Sequence, residues 1–340
     1  MDKQGYISWM QSELRAGKKH NRNSIEKVAR ERFGIDQKNL VKELTEAAIV
    51  RRAHFLAFGA RSFLERYEQI TDLYKLQVNL SMRTSISIMM QQYSTPAPIA
   101  FLASSFIRVS KLKGKFFEPS AGNGLLTIAL PPEQTDVNEL DETRRYNLKM
   151  MNFRNVYALD ASQDFGIEFI RYYDGVITNP PFGTLPDPVF FGDYKIKKLE
   201  HLMCLEALYC MKNDGRAALI IGSHTRYDER NRIRAGHDRI FFNYLYHYYH
   251  VVDVIAIDGK KLYSRQGTSF DTRLILIAGR KRKPEGAAPL KTDELATVMR
   301  SHDQLFNRII PHMKSNEAIA KTKAKTRAKA IMILQKQLNL

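Results

Sequence analysis

The sequence predicts a doubly wound α/β domain with a mostly parallel sheet, an antiparallel pair at one edge, and helical extensions at both ends. Three observations carry that expectation. Between about 91 and 280, short apolar runs alternate with helical stretches, the pattern of repeated strand-helix units around a parallel sheet. A glycine-rich turn, Glu118 to Gly124, follows one such strand, where an open α/β sheet takes a nucleotide-like ligand. Two late strands, 251–257 and 272–277, are separated only by a loop and so read as antiparallel neighbours.

Residues 1–90 form a basic helical region. Its segment from Asp36 to Phe55 places Leu40, Leu44, Ala47, Ala48 and Phe55 near one face. Upstream, Arg15, Lys18, Lys19, Arg22, Lys27, Arg30 and Arg32 make either a solvated face or a surface for polyanions. The central unit, 91–280, begins with strand Lys115-Phe116-Phe117 and a helical stretch Leu125 to Leu130. Strand Asp136 to Asp141, a helix through about Met151, and strands Val156 to Asp160 and Gly175 to Thr178 follow. Tyr194 to Met211 reads as a long amphipathic helix, and Asn213-Asp214-Gly215 as a turn into strand 216–221. The aromatic run Phe241 to Tyr249 reads as helix core packed on the sheet. Residues 281–340 read as a polar linker and a basic helical tail, with Lys321, Lys323, Lys325, Arg327 and Lys329 spaced by alanines.

A net charge of +17 over 340 residues favours polyanionic partners, nucleic acid first. No run of about twenty apolar residues exists, so a membrane span is not expected. Cys204 and Cys210 are expected to be reduced core thiols, and the histidines and cysteines form no metal-ligand spacing, so no metal site is expected.

Asn179-Pro180-Pro181-Phe182, at the end of an apolar strand, suits the capture of a planar amine. An amine conjugated to a ring is a poor nucleophile, and two acceptors aimed at its hydrogens favour the more tetrahedral nitrogen of a transition state. The Asn179 side-chain oxygen and the Pro180 carbonyl can serve. The prolines stiffen the turn, and Phe182 offers a stacking face. On these residues alone, a turn that caps a buried strand stands beside that reading. Polar groups at three successive strand ends add to it. Glu118 would repel a pyrophosphate and suits a cationic amino group; Glu139 is placed to accept from ribose hydroxyls; Asp160 can accept from an adenine amine.

Residues 91–280 resemble the amino-methyltransferases of DNA, which methylate the exocyclic amine of adenine or, less often, cytosine. The segment Phe117-Glu118-Pro119-Ser120-Ala121-Gly122-Asn123-Gly124 is similar to that family's cofactor motif, and Asn179 to Phe182 to its catalytic motif. Tyr93, Thr95 and Pro96 are similar to the element that packs on the methionine end of the cofactor, and their position before the glycine turn is the gamma motif order. The resemblance implies a seven-stranded Rossmann-like methyltransferase sheet with an antiparallel edge strand. It implies S-adenosylmethionine as cofactor, bound by Tyr93, Thr95, Pro96, Phe117, Glu118, Pro119, Ala121, Gly122, Gly124, Glu139 and Asp160. Asp164-Phe165 is similar to the family's Asp-Phe pairing, which leaves Asp160 or Asp164 for the cofactor adenine, with Asp160 favoured.

The implied activity is transfer of a methyl group to adenine in duplex DNA, the target base flipped onto Phe182. Methylation of an amine in RNA, of a protein glutamine, or a non-catalytic nucleic-acid-binding role are the alternatives. Tyr263 is either a second stacking face or an edge-packed tyrosine, and the arginines of Tyr227 to Arg234 are placed to meet phosphates. Many family members carry a recognition domain of over a hundred residues, whereas about sixty residues follow Arg280 here, in a segment that is basic and helical in character. This implies low sequence selectivity, recognition by the N-terminal helices, or a protein partner that supplies it. A cytoplasmic enzyme of bacterial, phage or mobile-element origin is the corresponding expectation.

Overall fold

A computed structural model of the chain describes residues 1–80, 94–109 and 113–313. Tyr93 and the basic residues Lys321 to Lys329 lie outside them.

Four helices open the chain: α1 Lys3–Arg15, α2 Arg22–Phe33, α3 Lys38–Ala57 and α4 Phe63–Leu76. Their boundaries follow local chemistry. The Asp2 side chain accepts from the Gly5 amide, and Asn21/Ser24 and Ser62/Glu65 form reciprocal capping boxes. Gly34 ends α2 in the left-handed conformation at φ 65°. Leu40, Leu44, Ala47 and Ala48 are buried as expected, whereas Phe55 is 67% exposed. The Arg52 guanidinium lies 5.2 Å from its ring centroid, so that aromatic face is covered by a cation instead of the core. Arg15, Lys18, Lys19, Arg22, Lys27, Arg30 and Arg32 are exposed.

Pro96 caps α5, Ala97–Arg108, whose apolar side chains are buried almost throughout. The sheet elements follow: β1 Phe116–Glu118, β2 Thr135–Asn138, α6 Glu142–Lys149, β3 Asn155–Tyr157 and β4 Tyr173–Thr178. Next come β5 Thr184–Phe191, β6 Tyr194–Lys198, α7 Leu199–Tyr209, β7 Met211–Gly222, α8 His237–Tyr248 and β8 Tyr249–Ile257. The short α9 Gly259–Leu262, β9 Thr272–Arg280, α10 Asp293–Ala296, β10 Val298–Met299 and α11 His302–Ile309 complete the order.

Eight strands form one sheet in the order β10-β8-β9-β7-β4-β1-β2-β3. All neighbours are parallel except those of β9, which runs antiparallel to both β7 and β8. This is the expected doubly wound class, with the antiparallel pair at the expected end of the sheet and β10 added beyond it. The chain lays down β1, β2 and β3 in one direction and then returns to place β4 on the other side of β1. A crevice therefore opens at the carboxyl ends of β1 and β4.

Two apolar clusters cover the two faces. One unites the N-terminal helices with α5, α11 and one side of the sheet, so the N-terminal helices share a core with the sheet. The other unites α7 and α8 with Phe117, Phe165, Phe169 and Tyr173. The aromatic run behaves as expected: Phe241, Phe242, Tyr244 and Leu245 are buried. Cys204 and Cys210 are buried free thiols. No helix among the described residues is long and apolar enough to cross a membrane.

Three local expectations are corrected. The helix expected from Tyr194 begins only at Leu199, because residues 194–198 pair with β5 as an antiparallel hairpin. Ile196 alone is buried in that strand. Leu125 to Leu130 yields only a 3₁₀ turn at Leu125–Thr127. Asn213-Asp214-Gly215 lies within β7 and not in a turn before it.

Gly175 sits in β4 where a Cβ would come within 2.8 Å of the Phe116 ring and 3.2 Å of Ile107 Cβ. Gly175→Ala should therefore lower stability by about 1–3 kcal/mol through overpacking, read as a lower urea midpoint at unchanged slope.

Candidate active site

The carboxyl ends of β1, β2, β3 and β4 surround a cleft of about 220 Å³. Of the residues expected to bind a cofactor, Thr95, Glu118, Pro119, Ala121, Gly122, Glu139 and Asp160 line it, joined by Asn179 and Pro181 of the Asn-Pro-Pro-Phe turn. Pro96 lies beside it as the cap of α5. Gly124 does not line it, but it holds the turn at φ 88°, with Leu148 Cδ2 only 3.0 Å from where a Cβ would be.

Glu118 is the last residue of β1 and 1% exposed. Its Oε2 finds no hydrogen-bond partner among the described residues. Burial, then the neighbouring Glu139, push its carboxyl well above the ordinary range. An acidic oxygen buried without a donor fits a ligand that brings a cationic amine. Glu139 accepts from the Gly122 amide at 2.8 Å and the Asp141 amide at 2.9 Å. Burial raises its pKa too, opposed by Arg144. Each of its oxygens keeps a lone pair for a further donor, which fits ribose hydroxyls. The donor set thus fits an adenosine-bearing cationic cofactor.

The two candidates for the adenine site separate in space. Asp160 lines the cleft and is exposed, with Oδ1 accepting from the Ser162 amide and hydroxyl at 2.9 and 2.7 Å. Asp164 borders a second hollow with Leu185, Leu202 and Glu206, and caps the Gly166 amide.

Asn179 follows β4 directly. Its Nδ2 donates to Thr95 Oγ1 at 3.1 Å, which orients the amide. Ser120 Oγ and Thr178 Oγ1 lie 2.8 Å apart, tying the glycine turn to the end of β4. Pro180 is buried, and the half-buried Phe182 ring packs on Gly222 at the end of β7. Beyond it, the buried Glu200 accepts from the Gly183 amide at 3.0 Å. Asp238 takes Lys198 at 2.7 Å and the fully buried Arg273 at 2.9 Å, and Arg273 also donates to the Gly222 carbonyl at 2.8 Å. These bonds fix the strand ends on which the turn rests.

Two sequence expectations find other roles. Phe117 is fully buried on the opposite side of β1, stacked on Tyr173 at 4.8 Å, because successive strand residues face opposite ways and Glu118 takes the cleft side. Tyr263 is fully buried and accepts from Thr272 Oγ1 at 3.3 Å, so it is an edge-packed tyrosine and not a stacking face. The loop Tyr227 to Arg234 closes on Asp228, which takes the amides of Arg230 and Arg232 and the side chains of Arg232 and Arg239. This leaves Arg226, Arg230, Arg232 and Arg234 exposed.

Several polar residues at the site carried no sequence signal strong enough to single them out. Asn138, buried before Glu139, donates to the carbonyls of Pro119 and Leu159, both at 2.9 Å, and accepts from the Leu159 amide at 2.7 Å. It welds three strand-end loops together. Asn123 and Arg144 also line the cleft. Only the position of Asn138 at a strand end beside an acid could have flagged it.

Known proteins place this architecture. No family model matches the chain. The type II methyltransferase M.AccI of Acinetobacter calcoaceticus is 29% identical over 152 residues, covering 39% of this chain and 28% of that enzyme. The chain thus matches under a third of the length of this curated relative. A Listeria monocytogenes protein described as a class I S-adenosylmethionine-dependent methyltransferase aligns over 90% of this chain and 99% of its own, at TM-score 0.51 and 13% identity. The M protein of the type I restriction enzyme EcoKI aligns over 92% of this chain and 77% of its own, at TM-score 0.45 and 14% identity. The fold is that of class I methyltransferases, and the match to M.AccI bears out the resemblance read from the motifs.

An acid held above its unfolded pKa stabilises the fold fully at low pH and loses that contribution as pH rises toward its folded value. Stability of Glu118→Gln relative to the unsubstituted chain should therefore increase as pH is raised from about 4.3, the ordinary glutamate value. Urea unfolding across pH without added ligand measures this. Parallel pH curves for the two proteins would contradict it.

Proposed function

We propose that the chain transfers a methyl group from S-adenosylmethionine to the exocyclic amine of adenine in DNA, with the target base turned out of the duplex against the Asn179–Phe182 turn. The observation that carries this reading is the cleft that Asn179 shares with Glu118, Glu139 and Asp160. Similarity to a type II methyltransferase supports it and favours a restriction-modification setting.

Bound in the cleft, S-adenosylmethionine supplies an electrophilic methyl group on sulfur. Glu118 accepts from its cationic amino group, Glu139 from the ribose, and Asp160 from the adenine amine. Thr95 holds the Asn179 amide, so that the Asn179 oxygen and the Pro180 carbonyl can accept the two hydrogens of the target amine. Phe182 gives the base a flat face. Positioning and fixed dipoles would then provide most of the acceleration: the C–N bond would form as the C–S bond breaks, and the nitrogen would lose its proton to water after the transfer, so that no strong base is required in that step. The exposed arginines of residues 226–234 meet phosphates, and a protein partner can supply selectivity.

Asn179→Ala should reduce methylation of duplex DNA by at least about 10²–10³-fold, the cost of removing one preorganised polar group from a transition state. Calorimetry should find cofactor affinity within about two-fold of wild type, since Glu118, Glu139 and Asp160 remain. Normal methylation by this variant would refute the mechanism.

Replacing Arg226, Arg230 and Arg234 together by Gln should weaken DNA binding equally across sequences. The slope of log K against log salt should become shallower by about 0.9 for each phosphate no longer neutralised. An unchanged slope would remove this loop from the DNA interface.

A further inference from the structure

The glycine-rich turn that lines the cleft is held by a carboxylate pair from the N-terminal helices. Asn123, 3% exposed between two left-handed glycines, uses both hydrogens of its amide on α3. Nδ2 donates to Glu43 Oε2 at 2.7 Å and Glu46 Oε2 at 2.8 Å, while its Oδ1 accepts from Asn147 Nδ2 of α6 at 2.9 Å. Arg144, on α6 and lining the cleft, places its fork on the same Glu43, with Nε 3.0 Å from Oε2 and Nη2 3.2 Å from Oε1. Burial works against both charges of this pair. Their mutual attraction outweighs it, holding Glu43 below and Arg144 above their ordinary values.

Nearly eighty residues of sequence separate these acids from the turn they hold, and they do not line the cleft themselves. We propose that Glu43 is a positioning residue for the methyl donor: through Asn123 it fixes the shape of the turn from Gly122 to Gly124, and through Arg144 it keeps a guanidinium off Glu139. The second effect follows from charge. Glu139 and Glu46 are the other carboxylates in the field of Arg144. An Arg144 released from Glu43 turns toward Glu139 and takes the lone pairs assigned to the ribose. The N-terminal helices thereby set cofactor affinity.

The inference rests on the functional reading above, and the test separates the two. The probe is S-adenosylhomocysteine, titrated calorimetrically into the full chain and into Glu43→Gln, Asn123→Ala, Glu43→Gln/Arg144→Gln and, as a control on α1, Glu13→Gln. Glu43→Gln and Asn123→Ala should weaken binding by about ten-fold or more, the scale of a lost charge-assisted hydrogen bond. The double variant should recover part of the loss from Glu43→Gln, because the freed cation is gone, and Glu13→Gln should bind as wild type. Hydrogen exchange at the amides of Gly122 to Gly124, measured without ligand, should quicken in Glu43→Gln while the sheet amides keep their rates. Folded Glu43→Gln and Asn123→Ala chains that bind with wild-type affinity overturn this inference alone. If Glu43→Gln fails to fold, Asn123→Ala decides the same question, since it leaves the Glu43–Arg144 pair in place. A wild-type chain that fails to bind the probe overturns the functional reading and this inference with it.

Discussion

The reversal of strand order around β1 is the constraint on which the rest of the structure depends. With β2 on one side and β4 on the other, β1 is a central strand buried on both faces, as Phe116, Phe117 and Glu118 all are. The loops that leave its neighbours must diverge, because the connections run to opposite sides. The crevice between them is therefore a product of topology. What the sequence adds is the choice of acceptor at each strand end: Glu118, Glu139, Asp160 and Asn179 all arrive at one edge of one sheet. A shift of one residue in β1 would exchange Glu118 with Phe117 and bury the carboxylate in the aromatic cluster.

A crevice built from loop ends needs bracing, since loops have few apolar contacts of their own. Buried polar side chains supply it in three places. Asn138 joins the ends of β1, β2 and β3. Asn123 joins the glycine turn to α3 and α6. Arg273 and Asp238 join β7 to α8 behind the Asn-Pro-Pro-Phe turn. Such networks are directional, so they select one loop conformation where apolar packing would tolerate several. Geometry of that kind is what catalysis by positioning needs: a misplacement of about 1 Å can cost on the order of 10²-fold in rate.

The strands and the cleft were legible in the sequence where periodicity and turn chemistry agree. Gly175 to Thr178 ending in Asn-Pro-Pro-Phe marks β4 and the turn that ends it without help from the rest of the chain. The order Glu118, Glu139, Asp160 marks three strand ends because each acid closes an apolar run. Legibility failed where a decision belonged to distant residues. Residues 194–198 contain good helix formers, and their fate as a strand is set by β5, which lies before them in the chain. The orientation of Phe117 depends on which face of β1 meets Tyr173. Asn123 looks like a filler between glycines until Glu43 and Glu46 are brought to it. Asp160 and Asp164 are four residues apart, and only the path of the loop after β3 separates them.

The charge distribution sets the two proposed ligands apart. The chain carries a net charge of +17, which draws a polyanion over long range and raises the rate of encounter. Inside the cleft the sign inverts: the half-buried Glu139 pushes up the carboxyl of Glu118, which is itself shielded from water. A phosphate-rich duplex is therefore attracted to the molecule and repelled from the cleft floor, whereas a small cation is favoured there once it has entered. Arg144 is the cation at the cleft that opposes this inversion, and its guanidinium is engaged by Glu43. A basic envelope around an acidic cleft would thus sort the two proposed ligands by charge before any shape is read, with a carboxylate pair from helices outside the sheet holding Arg144 and Asn123.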